Sequence, residues 1–322
     1  MKKFAARAVF ALILFFFLPQ TADASRLLMP VGQLIGLALE DDSVTVAAFD
    51  DTLGASAKKA GLKVGDRIIR MDERTIRNSE DVRQALDRSE GTVEVSVMRD
   101  GKTKKLHLTP AITKDGPKLG IYLKEGVTGV GTVTWYDPES GNFGALGHGV
   151  NDGNGKLLQM KKGTVYEASI VSVRKGKIGA PGQLMGTLNP EHPMGALSKN
   201  TAQGVFGTIT APWKGKPLPV ASAEEIQPGR AVIRSTVEGN TPREYSVEIL
   251  KIYPNSKFAG RNMLIKITDP SLLACTGGIV QGMSGSPIIQ DGKLVGAVTH
   301  VLVNDPTTGY GIFIENMLDA AA

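Results

Sequence analysis

The sequence predicts a mainly β protein with two domains. Its 322 residues include 38 glycines and 17 prolines, residue types that end strands and form turns. Beyond residue 119, short runs rich in β-branched residues follow one another without long helices between them, a pattern typical of a barrel or a sandwich. The chain is also long enough for two domains.

The first 24 residues are predicted to be a targeting segment. Lys2, Lys3 and Arg7 precede the apolar run 8–18, and Ala22-Asp-Ala24 offers a small-x-small cleavage site. This apolar run is too short to span a bilayer comfortably. We therefore expect the rest of the chain to be exported, with residues 1–24 acting as a cleaved signal peptide or as an N-terminal membrane anchor.

Charge and composition limit the partners. The formal net charge of +5 is modest, and the basic residues are interspersed with acidic ones, so no nucleic-acid partner is expected. Weak peripheral attraction to an anionic membrane face is compatible with this charge. Cys275 is the only cysteine, which excludes an internal disulfide. No histidines or Cys–His pairs share ligand spacing, so neither a metal nor another cofactor is expected.

Residues 26–112 are predicted to form the first domain. The run from Ala60 to Ile69, Ala-Gly-Leu-x-x-Gly-Asp-x-Ile-Ile, resembles a PDZ domain. The predicted elements are strands at 37–39 and 44–48, a helix at 79–88 with Asn78 as its N-cap, and strands at 92–98 and 103–109.

The PDZ resemblance implies a peptide-binding groove. Such a domain leaves a strand edge open beside a helix, so that an extended peptide can add as a further strand. A domain that binds nothing is the alternative, but an unpaired edge without a ligand is a liability. The predicted peptide-binding residues are Gln33, Leu34, Ile35, Gly36, Val82 and Leu86.

Residues 113–118 have the composition of a linker, and residues 119–322 are predicted to be the second domain. Only its tail, from Glu315 onward, reads as helical. The predicted strands of this domain are 129–136, 165–175, 205–210, 231–237, 244–253, 263–268, 288–299 and 311–314.

Ser284 is the candidate nucleophile. It lies in Gln281-Gly-Met-Ser-Gly-Ser-Pro287, directly before the apolar pair Ile288-Ile289. A serine placed between glycines on a rigid turn can attack a carbonyl if a base takes its proton. The amides of Gly282 and Ser284 are predicted to form an oxyanion hole. A tight turn between two strands is the alternative, because Gly, Ser and Pro are common turn residues.

His148 is the candidate base among four histidines. It lies in Gly-Ala-Leu-Gly-His-Gly-Val, where flanking glycines place the imidazole at the junction of a strand and a loop. His107 reads as a strand residue and His192 lies between prolines in a loop. His300 follows a strand soon after Ser284, where a structural role is favoured, although it could line the substrate cleft.

Asp269 is the candidate for the acid that orients the base. It ends a strand-like run and precedes Pro270, and capping of the following turn is the alternative role. Asp152 is explained by the hairpin signal Asn-Asp-Gly-Asn-Gly. Cys275 is a rival nucleophile, but its apolar surroundings favour a buried, inert thiol. The order His, Asp, Ser excludes an α/β-hydrolase, which needs Ser, acid, His.

The chain resembles the stage IV sporulation protein B peptidases of endospore-forming bacteria almost end to end. The residues that carry the resemblance surround His148, Asp269-Pro270 and Ser284, together with Val-Asn-Asp-Pro-Thr-Thr-Gly-Tyr-Gly at 303–311. The resemblance implies a PDZ domain followed by a chymotrypsin-like double β-barrel, with His148, Asp269 and Ser284 as the triad. The acid lies unusually close to the serine in sequence, fifteen residues before it.

The resemblance also implies a role in sporulation signalling, in the space between the forespore and mother-cell membranes. The expected partners are protein or peptide substrates. The peptidase would cleave its own N-terminal segment and then a membrane-associated regulator, which releases a metalloprotease that processes a sigma factor. A non-catalytic PDZ adaptor and a general envelope quality-control protease are the alternatives.

Overall fold

A computed structural model describes residues 26–153, 155–256 and 260–322. The predicted targeting segment, residues 1–24, lies outside the described residues. Across the described ranges, no helix is both long enough and apolar enough to cross a membrane.

The described chain is mainly β, as predicted. The strands are Leu27–Pro30 (β1), Leu34–Phe49 (β2), Arg67–Met71 (β3), Arg74–Thr75 (β4), Val93–Arg99 (β5), Lys102–Leu108 (β6), Ala111–Thr113 (β7), Gly116–Lys118 (β8), Ile121–Tyr136 (β9), Asn142–Ala145 (β10), Lys162–Arg174 (β11), Gln183–Thr201 (β12), Gly204–Ile209 (β13), Leu218–Pro219 (β14), Gly229–Ser235 (β15), Arg243–Ile252 (β16), Met263–Ile267 (β17), Pro287–Gln290 (β18), Lys293–Leu302 (β19) and Asp305–Phe313 (β20). The helices are Ala55–Lys59 (α1), Ser79–Asp87 (α2), Pro270–Thr276 (α3) and Ile314–Ala321 (α4), and Ala223–Glu225 form a 3-10 turn.

One large sheet runs through both predicted domains. Its strand order is β14-β1-β9-β10-β13-β12-β11-β2-β3-β5-β6, with β4 paired to β3. The long strands β2 and β9 pair antiparallel from Leu34 opposite Thr132 to Phe49 opposite Ile121. This pairing closes β2, β9, β10, β13, β12 and β11 into a six-stranded barrel, the first of the two predicted barrels. The first half of β2 and the second half of β9 belong to the peptidase part, whereas their other halves belong to the PDZ part.

The PDZ part has its own apolar core. Val44, Ile68 and Val95 are fully buried and pack with the apolar face of α2. This helix is N-capped as predicted, because the Asn78 side chain accepts a hydrogen bond from the Asp81 amide. Such a cap stabilises a helix by about 1 kcal/mol.

The strand pairing divides the chain at other positions than the predicted domain boundaries. Residues 27–39 are not part of the PDZ core, because β1 pairs with β9 and the first half of β2 lies between β9 and β11. The predicted linker at 113–118 lies in the β7–β8 hairpin. The PDZ part is therefore an insertion, residues 41–125, in a hairpin whose arms are 34–40 and 126–132.

The second half of the peptidase part is a closed barrel of β15, β16, β17, β20, β19 and β18. In β16, buried and exposed residues alternate along the strand, as expected for one half-buried face. The single strand predicted at 288–299 is a hairpin instead. Its turn residues, Asp291 and Gly292, both have positive φ, which fits the turn type that suits strand twist.

Two further features complete the fold. Strand β12, which the sequence did not indicate, contains Pro190 and Pro193 and pairs with β11 through several bulges, which is where a strand tolerates proline. The C-terminal helix α4, predicted from the tail, buries Ile314 and Met317 against Trp135 of the large sheet.

Candidate active site

The turn that carries Ser284 is shaped by two glycines. Gly282 and Gly285 have φ of +99° and +96°, a region that L side chains rarely adopt. At Gly285, an added Cβ would lie 2.0 Å from the Thr132 carbonyl oxygen, so only glycine fits there. Ser286 is fully buried, and its hydroxyl donates to the Met283 carbonyl at 2.7 Å.

Strand β9 holds this turn in place. The buried Thr132 donates from its amide to the Ser284 carbonyl at 3.1 Å and from its hydroxyl to the Gly282 carbonyl at 2.8 Å. Thr134 donates from its hydroxyl to the Gly285 carbonyl at 2.8 Å. Three consecutive bonds from one strand thus fix the backbone on both sides of Ser284.

The Gly282 and Ser284 amides are available to an incoming oxygen. Within the described ranges, neither donates to another protein group, and both residues line the same cavity. This arrangement suits two donors that converge on an oxyanion. The oxyanion hole formed by these two amides stays a prediction.

His148 lies on the loop after β10. Its Nδ1 is 2.9 Å from the Gly149 carbonyl oxygen, and because a carbonyl only accepts, Nδ1 carries the proton and Nε2 is free to act as a base. Asn200 fixes the loop, since its side chain accepts from the Val150 amide and donates to the Val150 carbonyl, both at 2.9 Å. Burial lowers the pKa of His148 below its ordinary value, against a smaller opposite effect of the Gly149 carbonyl.

The structure brings Ser284 and His148 to the same cavity, of about 560 Å³. Its walls come from both halves of the peptidase part, and no charged side chain is among the described residues that line it. They are Leu37, Leu39, Val127, Gly129, Val130, Leu146, His148, Gly149, Val150, Asn151, Ile279, Val280, Gln281, Gly282, Ser284, Thr299, His300 and Val301.

The Ser284 hydroxyl is not directed at an imidazole in this structure. It donates to the Thr299 carbonyl oxygen at 2.8 Å. A rotation about the serine Cα–Cβ bond has to release this bond before a base can accept the proton. The geometry is therefore that of a resting site.

Asp269 is not brought to His148. Its carboxylate caps α3 by accepting from the Ser271 and Leu272 amides at 2.9 and 3.1 Å, and it also accepts from the Ser246 amide at 3.3 Å. Burial raises the pKa of this carboxyl, but the hydrogen bonds outweigh it, so the pKa is lowered. The alternative role as a cap is thus realised, and the role of Asp269 as orienting acid stays a prediction from the resemblance.

The rival residues lie away from the cavity. Asp152 accepts from the Lys156 amide at 3.0 Å in its hairpin, as its turn signal indicates. Cys275 is half-buried on α3 and does not line the cavity.

His300 does line the cavity, which the sequence suggested only as a secondary possibility. Its ring lies 5.6 Å from that of His148, measured between centroids. Burial, the neighbouring His148 and Arg261 lower the pKa of His300 to about 4. The only sequence signal for this position was a histidine at the end of a strand that closely follows the serine.

The structure corrects the predicted peptide groove at residues 33–36. Leu34 and Ile35 are buried, and β2 is paired there with β9 on one edge and β11 on the other. Gln33 donates from its side chain to the Asn240 carbonyl at 3.1 Å. With both edges hydrogen-bonded, no peptide can add at these residues, although Val82 and Leu86 do lie on α2 as expected.

Residues 119–125 occupy the place beside α2 instead. Residues 121–125 of β9 pair with β2, and no other strand of the described chain pairs with them. Leu119 is buried in the PDZ core, and Glu125 accepts from the Ser79 amide of α2 at 2.6 Å. Gly120 has φ +64°, and an added Cβ would lie 2.2 Å from the Leu53 backbone. The run Leu-Gly-Ile-Tyr-Leu at 119–123 was the missed signal.

Profiles of two protein families match the chain. A profile described as SpoIVB peptidase S55 matches residues 115–318, which is more than half of the chain. A profile described as PDZ domain matches residues 34–109.

Curated relatives match over short stretches. One, described as a zinc metalloprotease of Rhizobium meliloti (strain 1021), is 33% identical over 111 residues, which cover 34% of this chain and 28% of the relative. Another relative with the same description comes from Agrobacterium fabrum (strain C58 / ATCC 33970). It is 36% identical over 90 residues, which cover 28% of this chain and 23% of the relative. The chain thus spans about a quarter of these relatives' length. No described group of three or more His, Cys, Asp or Glu residues here could hold a metal ion.

Solved structures are similar to parts of the chain. The inactive form of the Rv3671c protease of M. tuberculosis is 16% identical, covers 60% of this chain and 84% of its own, and has a TM-score of 0.35. Its active form is 17% identical, covers 61% of this chain and 73% of its own, and has a TM-score of 0.35. The PDZ domain of the SdrC-like protein Lmo2051 of Listeria monocytogenes is 26% identical, covers 26% of this chain and 87% of its own, and has a TM-score of 0.22.

Proposed function

Because the chain belongs to the SpoIVB peptidase S55 family and is a serine endopeptidase with a PDZ domain, we propose that Ser284 is its nucleophile and His148 its general base. The observation that carries this proposal is their shared cavity, with Ser284 on a glycine turn fixed by Thr132 and Thr134. A free imidazole nitrogen on His148 supplies the base that a serine hydroxyl needs.

The proposed reaction follows from these groups. The Ser284 hydroxyl leaves the Thr299 carbonyl and gives its proton to Nε2 of His148 while Oγ bonds to the scissile carbonyl carbon. The amides of Gly282 and Ser284 bind the oxyanion. His148 then protonates the leaving amine as the peptide C–N bond breaks, and water hydrolyses the acyl-enzyme by the same steps.

Substrates are proposed to be extended peptides with an uncharged side chain at the cleft. The cavity wall is mostly apolar, and its described lining holds no charged side chain. A charged side chain buried there would lose its hydration without an opposite charge to pair with.

The biological role we propose is the one the family resemblance implies. The chain would act after export, cleave its own N-terminal segment, and then cleave a membrane-associated regulator during sporulation so that a sigma-factor-processing metalloprotease is released. The family profile and the predicted targeting segment support this role. The modest positive charge is compatible with peripheral membrane association.

The test of the catalytic assignment is covalent labelling with a fluorophosphonate probe. Wild type should be labelled, and Ser284→Ala should not, whereas Cys275→Ala is the matched control for the rival nucleophile and should label normally. Labelling of Ser284→Ala together with loss of labelling in Cys275→Ala would reassign the nucleophile. No labelling of folded wild type would favour a non-catalytic adaptor.

The second function we propose is peptide capture by the PDZ part at the edge of residues 121–125. The supporting observation is that, among the described strands, none pairs with the outer edge of residues 121–125 next to α2. Such an edge binds extended peptides mainly through main-chain hydrogen bonds. The proposed occupant is the carboxyl end of the cleaved N-terminal segment.

This second function is tested by fluorescence anisotropy with a labelled peptide of residues 19–24. Wild type should bind it, Gly120→Val should weaken binding because its added side chain has no room, and the surface change Lys58→Ala should bind normally. Equal binding by all three proteins would exclude this edge as the site.

A further inference from the structure

The tip of the β11–β12 hairpin carries an exposed aliphatic side chain. Lys177 and Ala180 pair through two backbone hydrogen bonds of 2.9 Å, so Ile178 and Gly179 form the turn between them. Gly179 has φ +78°, which fits a turn position that favours glycine. Ile178 is 79% exposed, although small or polar residues usually occupy such turns. A single exposed isoleucine is ordinary, so its neighbours decide whether it belongs to a larger apolar surface.

Further apolar side chains lie on this hairpin and on the turn that contacts it. Val303 is 48% exposed, and its carbonyl accepts a 2.8 Å hydrogen bond from the Gly179 amide. Val171 and Met185, on the two strands of the hairpin, are 68% and 52% exposed. With Ile178, these residues form what we call the tip patch. It holds four of the nine large apolar side chains that are exposed in the described chain, so the exposure is concentrated here.

Three basic side chains flank the tip patch. Arg174, Lys175 and Lys177 are all exposed. The Arg174 guanidinium donates to the neutral Gln183 side chain at 3.2 Å. Within the described ranges, no ion pair includes any of the three. Their positive charge is therefore available to a partner.

The surroundings of the tip hold it in place without neutralising its charge. The Gly176 amide donates to the Thr276 carbonyl of α3 at 2.8 Å, which ties the hairpin to the C-terminal barrel. The neighbouring turn 303–306 contains one acid, Asp305. Its carboxylate accepts from the hydroxyls of Thr307 and Thr308 at 2.7 and 2.6 Å, so it is engaged within its own strand. The tip thus presents cations and aliphatic groups together in a fixed arrangement.

An anionic lipid surface fits this combination better than a protein does. Basic side chains are attracted by anionic headgroups, while aliphatic side chains enter the boundary between headgroups and acyl chains. Protein interfaces are instead enriched in aromatic residues and depleted in lysine. The tip patch contains no aromatic residue, and a lysine directly precedes its most exposed member.

We propose that the tip of the β11–β12 hairpin docks on the surface of a bilayer that contains anionic lipids. Ile178 enters the boundary between headgroups and acyl chains, and Lys175 and Lys177 contact the headgroups. No covalent step is involved, and the contact is reversible.

Docking at this tip would bring the catalytic cavity close to the bilayer. Val303 lies two residues after Val301, which lines the cavity. Gln183 of the same hairpin forms a bridge with Gln281, another residue of the cavity wall. Substrates would therefore be cleaved near the membrane surface. This consequence rests on the proposed function, whereas the lipid contact itself does not.

The test places a fluorophore at the tip of the full chain. Ile178→Cys, combined with Cys275→Ala, is labelled with the environment-sensitive dye NBD, whose emission shifts to the blue when it leaves water. Ile112→Cys with the same background is the matched control, because Ile112 is an exposed isoleucine on the β7–β8 hairpin. Both proteins are titrated with vesicles of phosphatidylcholine alone and with an equimolar mixture of phosphatidylcholine and phosphatidylglycerol.

We expect a blue shift at position 178 with the anionic vesicles, and none with neutral vesicles or at position 112. Adding Lys175→Glu and Lys177→Glu should raise the lipid concentration that gives half of the shift on the order of tenfold or more, since each basic residue near an anionic surface contributes about fivefold. Lys102→Glu with Lys104→Glu makes the same charge change at the same spacing on β6 and should have a much smaller effect.

Three results would overturn the inference: no shift at position 178 with anionic vesicles, an equal shift at position 112, or an unchanged titration after Lys175→Glu and Lys177→Glu. A shift at position 178 that grows with protein concentration without vesicles would instead show a contact between copies of this chain. A shift caused by a peptide substrate would show a protein-binding surface. Either would replace lipid as the partner.

Fluorophosphonate labelling separates this inference from the catalytic assignment. Without lipid, Ser284 should be labelled at the same rate in the charge variants as in wild type. Failure of the proposed nucleophile would appear in that labelling and would leave the blue shift unchanged.

Discussion

The two halves of the peptidase part are built differently. The C-terminal half closes into a six-stranded barrel from one continuous stretch of chain, β15 to β20. The N-terminal half closes into a second six-stranded barrel, β2-β9-β10-β13-β12-β11, because β2 pairs with both β9 and β11, but its first strand precedes the PDZ insertion in sequence. The C-terminal barrel therefore holds Ser284, whereas the N-terminal barrel supplies His148 and the threonines that fix the serine turn.

The largest effect should come from truncation. A fragment of residues 113–322 lacks β1 and the buried first half of β2, so the N-terminal barrel loses the strand that lies between β9 and β11. We expect this fragment to be insoluble or to lack a cooperative thermal transition. A cooperative transition near that of the full chain would show that the two halves do not depend on residues 26–40.

Replacement of Gly285 should have the second-largest effect on stability and labelling. In Gly285→Ala the new Cβ would lie 2.0 Å from the Thr132 carbonyl oxygen and the residue would keep a positive φ. We expect loss of probe labelling and a decrease of about 2–4 kcal/mol in the free energy of unfolding. Gly292→Ala is the matched control, since its added Cβ would contact nothing within 4 Å. The Gly292→Ala variant should still be labelled by the probe. Similar losses of labelling and of unfolding free energy in both variants would contradict the conclusion that the close contact at Gly285 shapes the serine turn.

Thr132→Val should also lower stability and slow the labelling of Ser284, but less than Gly285→Ala does. Valine keeps the shape but leaves the Gly282 carbonyl without its hydroxyl donor. We expect a loss of about 1–3 kcal/mol of stability and slower labelling of Ser284, measured by denaturant unfolding and by labelling rate. Unchanged labelling in the destabilised variant would mean that β9 does not control the serine turn.

Asp269→Ala should give the smallest stability effect. Loss of an N-cap costs about 1 kcal/mol. Because the pKa of Asp269 is lowered in the folded state, its contribution is present above the unfolded pKa and is lost as pH falls through the folded pKa. Urea unfolding of both proteins at several pH values should therefore show a difference at neutral pH that shrinks in acid. A loss of activity far beyond this stability change would instead favour the role of Asp269 in orienting His148.

Local features were predictable because their signals are local. The cap at Asn78, the glycine turn at Ser284 and the alternation in β16 depend on residues close in sequence, and the described structure contains all three. Sequence reasoning also identified Ser284 and His148 as candidates, which the fold brings to one cavity. Their roles stay predictions until the variants are measured.

Pairing partners were not predictable in the same way. The run 34–39 reads as a strand, but its apolar residues fit a PDZ edge and a buried sheet equally well, and only the position of β11 decides between them. The role of Asp269 depends on a tertiary distance that spacing does not define. Likewise, the proximity of His300 to His148 arises from the contact between two halves of the fold.

The most direct test removes the PDZ part without touching the sheet. Residues 41–125 are deleted so that residue 40 joins Gly126, and Glu40→Asn supplies the Asn-Gly pair of a two-residue turn between the paired residues Leu39 and Val127. The rate of fluorophosphonate labelling at Ser284 is compared with that of the full chain. We predict a folded protein labelled within about threefold of the full-chain rate, because the PDZ core contributes no residue to the serine turn or to the His148 loop. A folded protein that is not labelled would contradict the conclusion that the catalytic part is complete without the insertion.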